Sequence, residues 1–168
     1  MKKVIPIAVI MVVISLLLFS CSRVKEFYGM PFGSTKEEVK TYLQNEKWDI
    51  KEQEEIIVAT KANGKYAGKT VKEMSFSFDV GRFYSASVVF YSVAINDEPS
   101  FISIINQIKE KYKFNKVYYE DEYMHVYENG VKDMFSYSEF FYPSFSLYNY
   151  KNAGPDKNKK AEKFHEDI

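Results

Sequence analysis

The chain has 168 residues, and its 23 basic and 23 acidic side chains leave no net charge at pH 7. Without a basic excess or a basic stripe, nothing in the composition favours binding to nucleic acid. Tyr and Phe number 14 each, and the aromatic share of 17% indicates a folded, β-rich protein rather than a disordered or fibrous one. The length suits a single domain.

Residues 1–20 are typical of an export signal. Met1 is followed by two lysines, and residues 4–19 are almost continuously apolar. This run is shorter than the roughly 20 residues that cross a bilayer comfortably, which favours a removable signal peptide. An N-terminal anchor that stays uncleaved is the alternative that length alone leaves open. Cleavage after Ser20 leaves 21 basic and 23 acidic side chains in the mature chain.

The motif Leu18-Phe19-Ser20-Cys21 resembles a bacterial lipobox, in which the last cysteine is lipidated. Cys21 is the only cysteine of the chain, so it has no partner for an intramolecular disulfide. The resemblance implies a lipoprotein held in the membrane by several acyl chains, palmitate among them, on Cys21. An inner-membrane retention signal has Asp at the position of Ser22. The resemblance therefore implies that the protein is located in the outer membrane, or on the outer face of the plasma membrane in a host with one membrane.

The mature chain divides into three parts. We interpret residues 21–28 as a lipidated tether that lifts the rest of the protein off the membrane. Residues 29–150 carry the apolar and aromatic pattern of a single domain. Residues 151–168 combine mixed charge with a Gly-Pro step, which predicts a disordered, charged tail.

The domain begins with a predicted helix. Ser34 and Glu37 have the spacing of a capping box, in which each side chain bonds the backbone N–H of the other residue. The helix is expected to end near Glu46. Its apolar positions recur at helical spacing and are Val39, Tyr42 and Leu43.

Three strands are predicted next. Residues 56–59 run into Asn63-Gly64, the preferred dipeptide of a type I′ hairpin turn. Residues 72–79 alternate strictly between apolar and polar side chains, with Ser75 and Ser77 on the polar face. The third strand covers residues 83–93. The side chains expected to face the core are Met74, Phe76 and Phe78 in the second strand, and Ala86, Val88 and Phe90 in the third.

A second helix is predicted from about Asp97-Glu98-Pro99, where proline is tolerated because the first N–H groups of a helix are unpaired. Its apolar stripe has a helical period and consists of Phe101, Ile104, Ile105, Ile108 and Tyr112. Four strands are predicted after it, at residues 116–119, 123–128, 132–140 and 145–150, with a second hairpin turn at Asn129-Gly130.

Alternating strands need one dry face, and amphipathic helices can supply it. The sequence therefore predicts an α+β fold of two layers, with an antiparallel β-sheet and both α-helices packed on one of its faces.

The segment from Tyr28 to Val39 resembles the opening of a loose group of small bacterial lipoproteins, whose pattern is G-x-P-F/L-G-x-s-x-x-E-V. Tyr66-Ala67-Gly68 resembles a second feature of that group, an aromatic-Ala-Gly step between strands. The resemblance covers about residues 28–113 and implies a fold and a place in the envelope rather than an activity. More distantly, the fold is similar to that of the SmpA/OmlA outer-membrane assembly lipoproteins and of the β-lactamase inhibitor protein. Both act through protein–protein contacts, which favours that mode by analogy only.

Chemical motifs are scarce. His125 and His165 are too far apart in sequence to suggest a metal site, and the acidic run at residues 120–122 lacks the pattern of a calcium loop. The chain has no nucleophile elbow and no phosphate-binding loop. The sequence therefore predicts a protein that is not an enzyme, with no catalytic residue, cofactor or metal. A pair of carboxylates brought together by the fold is the exception that sequence cannot test, so a hydrolase stays the third hypothesis.

Fourteen Tyr and Phe lie between Tyr112 and Tyr150. Neighbouring residues of a strand point to opposite faces, so these aromatic side chains cannot all share one core. Core packing explains most of them, while outward Tyr residues are favoured at recognition surfaces. The leading hypothesis is a module that binds an envelope protein or supports envelope assembly; the alternative is one that binds glycan, peptidoglycan or lipid. The candidate binding residues are Tyr119, Tyr142, Tyr148 and Tyr150.

Overall fold

The structure is a computed structural model that describes residues 24–91, 98–120, 124–129, 133–138 and 142–149. The predicted signal peptide, Cys21 and the predicted tail lie outside these residues. In the part described, the chain forms two helices and eleven strands. The helices are α1 (Lys36–Asn45) and α2 (Glu98–Tyr112). The strands are β1 (Glu26–Phe27), β2 (Met30–Pro31), β3 (Asp49–Glu52), β4 (Ile56–Thr60), β5 (Lys65–Tyr66), β6 (Lys69–Asp79), β7 (Arg82–Phe90), β8 (Lys116–Glu120), β9 (His125–Glu128), β10 (Met134–Ser138) and β11 (Ser144–Tyr148).

Most of the described strands belong to one antiparallel sheet. Its order is β3-β4-β6-β7-β11-β10-β9-β8, and β5 pairs with the start of β6. A separate small hairpin joins β1 to β2. The prediction of an α+β fold with an antiparallel sheet is confirmed. The C-terminal strands β8 to β11 form at the four places where strands were predicted, and β11 returns to pair with β7.

One face of the sheet carries the core. The register places Phe76 opposite Ala86 and Met74 opposite Val88, and all four side chains are buried. The core-facing positions predicted for β6 and β7 are therefore confirmed. The alternation of apolar and polar residues determines which side chains face the core, because every second side chain of a strand points to the same face. Phe145 extends this apolar row onto β11, where it lies opposite Val88.

Helix α1 starts one residue later than the sequence predicted. Thr35 is the N-cap, its hydroxyl accepts from the backbone N–H of Glu38, and Glu38 Oε2 accepts from the N–H of Thr35 at 2.7 Å. This hydrogen bond holds the pKa of Glu38 below its ordinary value. The predicted cap, Ser34, has another role, because its carbonyl accepts from the N–H of Phe83 at 2.9 Å. Val39 and Leu43 are buried, as predicted.

Helix α2 matches its prediction. It includes Pro99 in its first turn, and the ring of Phe101 contacts two rings of the sheet, Phe90 at 5.8 Å and Tyr137 at 6.3 Å between centroids. The hydroxyl of Tyr112, at the other end of the helix, donates to the carbonyl of Glu26 at 3.5 Å. The buried stripe consists of Phe101, Ile104, Ile105 and Ile108, while Tyr112, the fifth residue predicted for it, is half-buried against the core.

The type I′ turn predicted at Asn63-Gly64 is wrong. A type I′ turn needs positive φ at both central residues, and here only Asn63 has one, at 58°. The N–H of Gly64 instead closes a turn onto the carbonyl of Lys61 at 2.9 Å. Three other hairpins have a two-residue loop in which a residue with positive φ precedes a glycine with positive φ. These loops are Tyr28-Gly29, Ala67-Gly68 and Val80-Gly81.

The tether predicted for residues 21–28 is wrong from Val24 onward. Val24 is fully buried, and its N–H donates to the Asp133 carboxyl at 3.0 Å. Its carbonyl accepts from the side-chain amide of Asn149 at 2.6 Å. Phe27 is buried as well, because its ring fills the core beside Phe145. We call Val24, Asp133 and Asn149 the N-terminal clamp, since the two side chains bind both the N–H and the carbonyl of Val24 and so fix the start of the domain.

Replacing Asp133 with Ala is expected to lower the free energy of unfolding by about 1–3 kcal/mol, because the buried N–H of Val24 would lose its acceptor. Asp133→Asn keeps an acceptor oxygen of nearly the same shape and is expected to cost less. Urea unfolding of both variants measures the difference. Equal losses in the two variants would contradict the role of this hydrogen bond.

Candidate functional site

The second face of the sheet is lined with serines. They come from four Ser-x-Ser triplets. Three middle residues, Phe76, Ala86 and Phe145, are buried in the core and the fourth packs against it, while the serines alternate to the other side. The register aligns Ser75, Ser87, Ser146 and Ser136 in one row across β6, β7, β11 and β10. We call this surface the serine face, and it consists of Ser75, Ser77, Ser85, Ser87, Ser136, Ser138, Ser144 and Ser146.

The serine face is polar, and its hydroxyl groups carry no charge. Its side chains are partly exposed except for Ser85, which is buried. The hydroxyls of Ser87 and Ser146 hydrogen-bond each other across the pair β7 and β11. A hydroxyl both donates and accepts, so such a row can adapt its hydrogen bonds to either kind of partner group.

Two tyrosines lie at the end of the serine face where β7 begins. The side chains of Ser146, Ser85 and Tyr84 lie near the hydroxyl of Tyr148. Burial raises the pKa of Tyr148 above its ordinary value. Of the predicted binding residues, Tyr148 is therefore a half-buried part of this surface rather than a free outward side chain.

The opposite end of the serine face carries the most exposed aromatic side chains described. Tyr91 is 55% exposed and Tyr142 is 46% exposed. A hydrogen bond of 2.9 Å from the N–H of Phe90 to the carbonyl of Pro143 joins the two segments beside them. The Lys72 Nζ lies 3.8 Å from the ring centroid of Tyr142, a cation–π contact. We call Tyr91, Tyr142 and Lys72 the tyrosine edge.

The predicted binding residues do not form one cluster. Tyr142 and Tyr148 lie at opposite ends of β11, while Tyr119 belongs to β8, three strands away. The side chain of Tyr119, like all of Tyr150, lies outside the described residues. Sequence reasoning missed Tyr91 and the serine face. The four Ser-x-Ser triplets were the available signal, because a repeated small polar residue at alternate positions indicates a face with a shared character.

Most of the other aromatic side chains build the core. Phe114, Phe135 and Phe145 are almost completely buried, and their rings form one connected series with Phe27. Tyr66 stacks on Phe27 with ring centroids 5.6 Å apart, and burial raises the pKa of Tyr66 to about 12. The abundance of Phe and Tyr is therefore largely explained by packing, and the tyrosine edge is the exception.

A shallow depression of about 460 Å³ lies beside the serine face and contains two carboxylates, Glu54 and Glu55, together with Tyr84. Acid–base catalysis by a carboxyl pair needs one partner withdrawn from solvent, and both glutamates are exposed. Among the described residues, no group of three or more His, Cys, Asp and Glu could hold a metal ion. His125 pairs with Glu120 at 2.8 Å and stacks on Tyr137, the contacts of an ordinary strand residue.

Neither helix in the described part of the chain is long and apolar enough to cross a bilayer. No protein-family model, curated protein or solved structure matches the chain.

Proposed function

We propose that this chain is a non-enzymatic lipoprotein of the cell envelope, anchored through Cys21, whose domain binds another envelope protein. The binding surface is the serine face together with the tyrosine edge. The observation that carries the proposal is the combination of exposed Tyr91 and Tyr142 with a row of uncharged hydroxyls.

Tyrosine and serine are a productive pair at protein interfaces. A tyrosine offers a large, rigid contact area with few rotatable bonds, and serine adds hydrogen bonds that adapt to the partner. Antibody combining sites use the same two residues for the same reasons. Tyr is also enriched among the residues that dominate binding energy at protein–protein contacts.

An open serine face fits the proposed two-layer arrangement, with both helices on the other side of the sheet. The buried side chains of α1 and α2 belong to the same hydrophobic cluster as Met74, Phe76 and Phe145. These strand residues alternate with the serines and therefore point away from them. Helices packed on that side leave the serine face accessible to a partner.

A glycan-binding module is the second candidate, and the row of hydroxyls is the observation that favours it. Sugar recognition on aromatic side chains, however, requires a free ring face. One face of the Tyr142 ring already contacts Lys72, and Tyr148 is half-buried. These contacts favour a protein partner over a glycan.

The proposal is tested by placing a photo-crosslinking amino acid at position 91 or 142 of the full-length protein in its native membrane. We expect both positions to capture the same envelope protein. Position 44, an exposed site on α1, is the matched control and should not capture it. The double variant Tyr91→Ser/Tyr142→Ser should weaken binding to the identified partner by about 10-fold or more, as expected for interface tyrosines.

Two outcomes would overturn this proposal. Equal capture from positions 44, 91 and 142 would show that the serine face is not the contact surface. Binding to purified peptidoglycan that is lost in the same double variant, with no protein captured, would favour the glycan-binding candidate.

A further inference from the structure

The hairpin between β6 and β7 carries an unusual exposed residue. Val80 is 82% exposed and has a φ of 48°, in the left-handed region that β-branched side chains avoid. It occupies the first central position of a type I′ turn, where Asn, Asp or Gly is preferred. The chain thus keeps an apolar side chain in water, in a strained backbone, at a place where a polar residue would be more stable.

The start of the domain lies at the same end of the sheet. The carbonyl of Val24 accepts from the Asn149 side chain at 2.6 Å, and the N–H of Asn149 donates to the carbonyl of Tyr84 at 2.8 Å. Tyr84 is three residues from Gly81, and β7 and β11 are neighbouring strands. Val24 is therefore level with the base of the hairpin and close to it.

The segment from Val24 to Cys21 and the hairpin from Tyr84 to Gly81 have similar lengths. Cys21 precedes Val24 by three residues, which span at most about 11 Å. From Tyr84 to the tip at Gly81 the hairpin extends about 10 Å, a similar length. A bilayer that holds Cys21 therefore lies within reach of the hairpin tip, because Val24 itself is clamped inside the domain.

We propose that the hairpin tip at Val80 is a membrane-docking wedge that inserts its apolar side chain into the bilayer holding the acyl chains of Cys21. The inference rests on the proposed lipid anchor. The proposed binding partner of the hairpin tip is the lipid surface, because transfer of an apolar side chain from water into lipid lowers its free energy. Docking at this end would direct the tyrosine edge away from the membrane, since β7 separates the two by nine residues, or about 30 Å.

The wedge is tested with the mature lipidated protein in vesicles of phosphatidylethanolamine and phosphatidylglycerol. Val80→Cys is labelled with an environment-sensitive fluorophore, and Ala67→Cys is the matched control. Ala67 occupies the same position of a type I′ turn at the other end of β6, which is 11 residues long, or about 36 Å. We expect the emission from position 80 to shift to shorter wavelength and to be quenched by brominated lipid. The emission from position 67 should resemble that of the label in water.

A second variant separates docking from folding. Val80→Asn gives the turn its preferred Asn-Gly sequence and should raise Tm by about 3 °C. On vesicles we expect residues 79–82 of the unsubstituted protein to be protected from hydrogen exchange, and Val80→Asn should lose this protection. Unchanged protection in Val80→Asn, or a position-80 label that reports water, would overturn the wedge.

The same experiment distinguishes a wrong lipid anchor from a wrong membrane-docking wedge. A lipidated Cys21 has no free thiol, so the unsubstituted protein should not take up the label. Labelling of that protein, together with its loss from the vesicles, would contradict the lipid anchor itself. An unlabelled, vesicle-bound protein whose position-80 probe reports water would contradict the wedge alone.

Discussion

Replacing Phe27 with Ala is expected to lower the free energy of unfolding by about 3–5 kcal/mol, the usual cost of removing a fully packed Phe. Phe27 is 2% exposed. Its ring lies 5.6 Å from that of Tyr66, 5.9 Å from that of Phe76 and 6.3 Å from that of Phe145, measured between centroids. Removal of the ring would leave a cavity among rigid aromatic neighbours that cannot close it.

Urea unfolding measures this loss, with Lys25→Ala as the control. Lys25 is an exposed neighbour, and its replacement should change the free energy of unfolding by no more than about 0.5 kcal/mol. Equal stability of the Phe27→Ala variant and the unsubstituted protein would mean that this segment is the loose tether the sequence suggested.

Changing Cys21 to Ala is expected to abolish membrane retention and metabolic lipid labelling together. The thiol is the attachment site in the predicted lipobox, and the chain has no second cysteine that could replace it. Each buried methylene of an acyl chain contributes about 0.8 kcal/mol to membrane binding, so the loss of all the chains removes the anchor. Fractionation of membranes from cells grown with a labelled fatty acid provides both readouts.

Ser22→Ala is the control, because it alters the adjacent position and leaves the thiol in place. Unchanged membrane partitioning of Cys21→Ala would contradict the lipoprotein. The uncleaved anchor predicts that result, and mass spectrometry would then find residues 1–20 still attached to the protein.

Strict periodicity made parts of the fold predictable. Strand β6 alternates apolar and polar side chains over its second half, and α2 repeats its apolar residues every three or four positions. Both patterns report which side of an element is buried, a property that depends on local sequence alone. The face that carries the core was therefore predictable before the order of the strands was known.

Details that depend on distant partners were not predictable. Ser34 with Glu37 and Thr35 with Glu38 satisfy the capping pattern equally well, and the contact of Ser34 with Phe83 decides between them. The burial of Val24 likewise depends on side chains from the far end of the chain. Local propensity could not place a type I′ turn at Val80 either, because Val is a poor residue for it.

The candidate site shows the same division. The Ser-x-Ser triplets were visible in the sequence, but their alignment in a row requires the register between β7 and β11. That pairing joins Ser87 to Ser146, 59 residues apart, and no local signal specifies it. Tyr91 was missed because its exposure depends on where the neighbouring strands end.

The N-terminal clamp also constrains the order in which the molecule can fold. The two hydrogen-bond partners of Val24, Asp133 and Asn149, lie 109 and 125 positions later in the sequence. Synthesis proceeds from the N-terminus, so nearly the whole domain must emerge before these hydrogen bonds can form. Contacts this distant in sequence close slowly, because a long loop must be ordered first. Val24 is thus synthesised early and fixed late, and a nascent chain that stalls before Asn149 leaves it without its clamp.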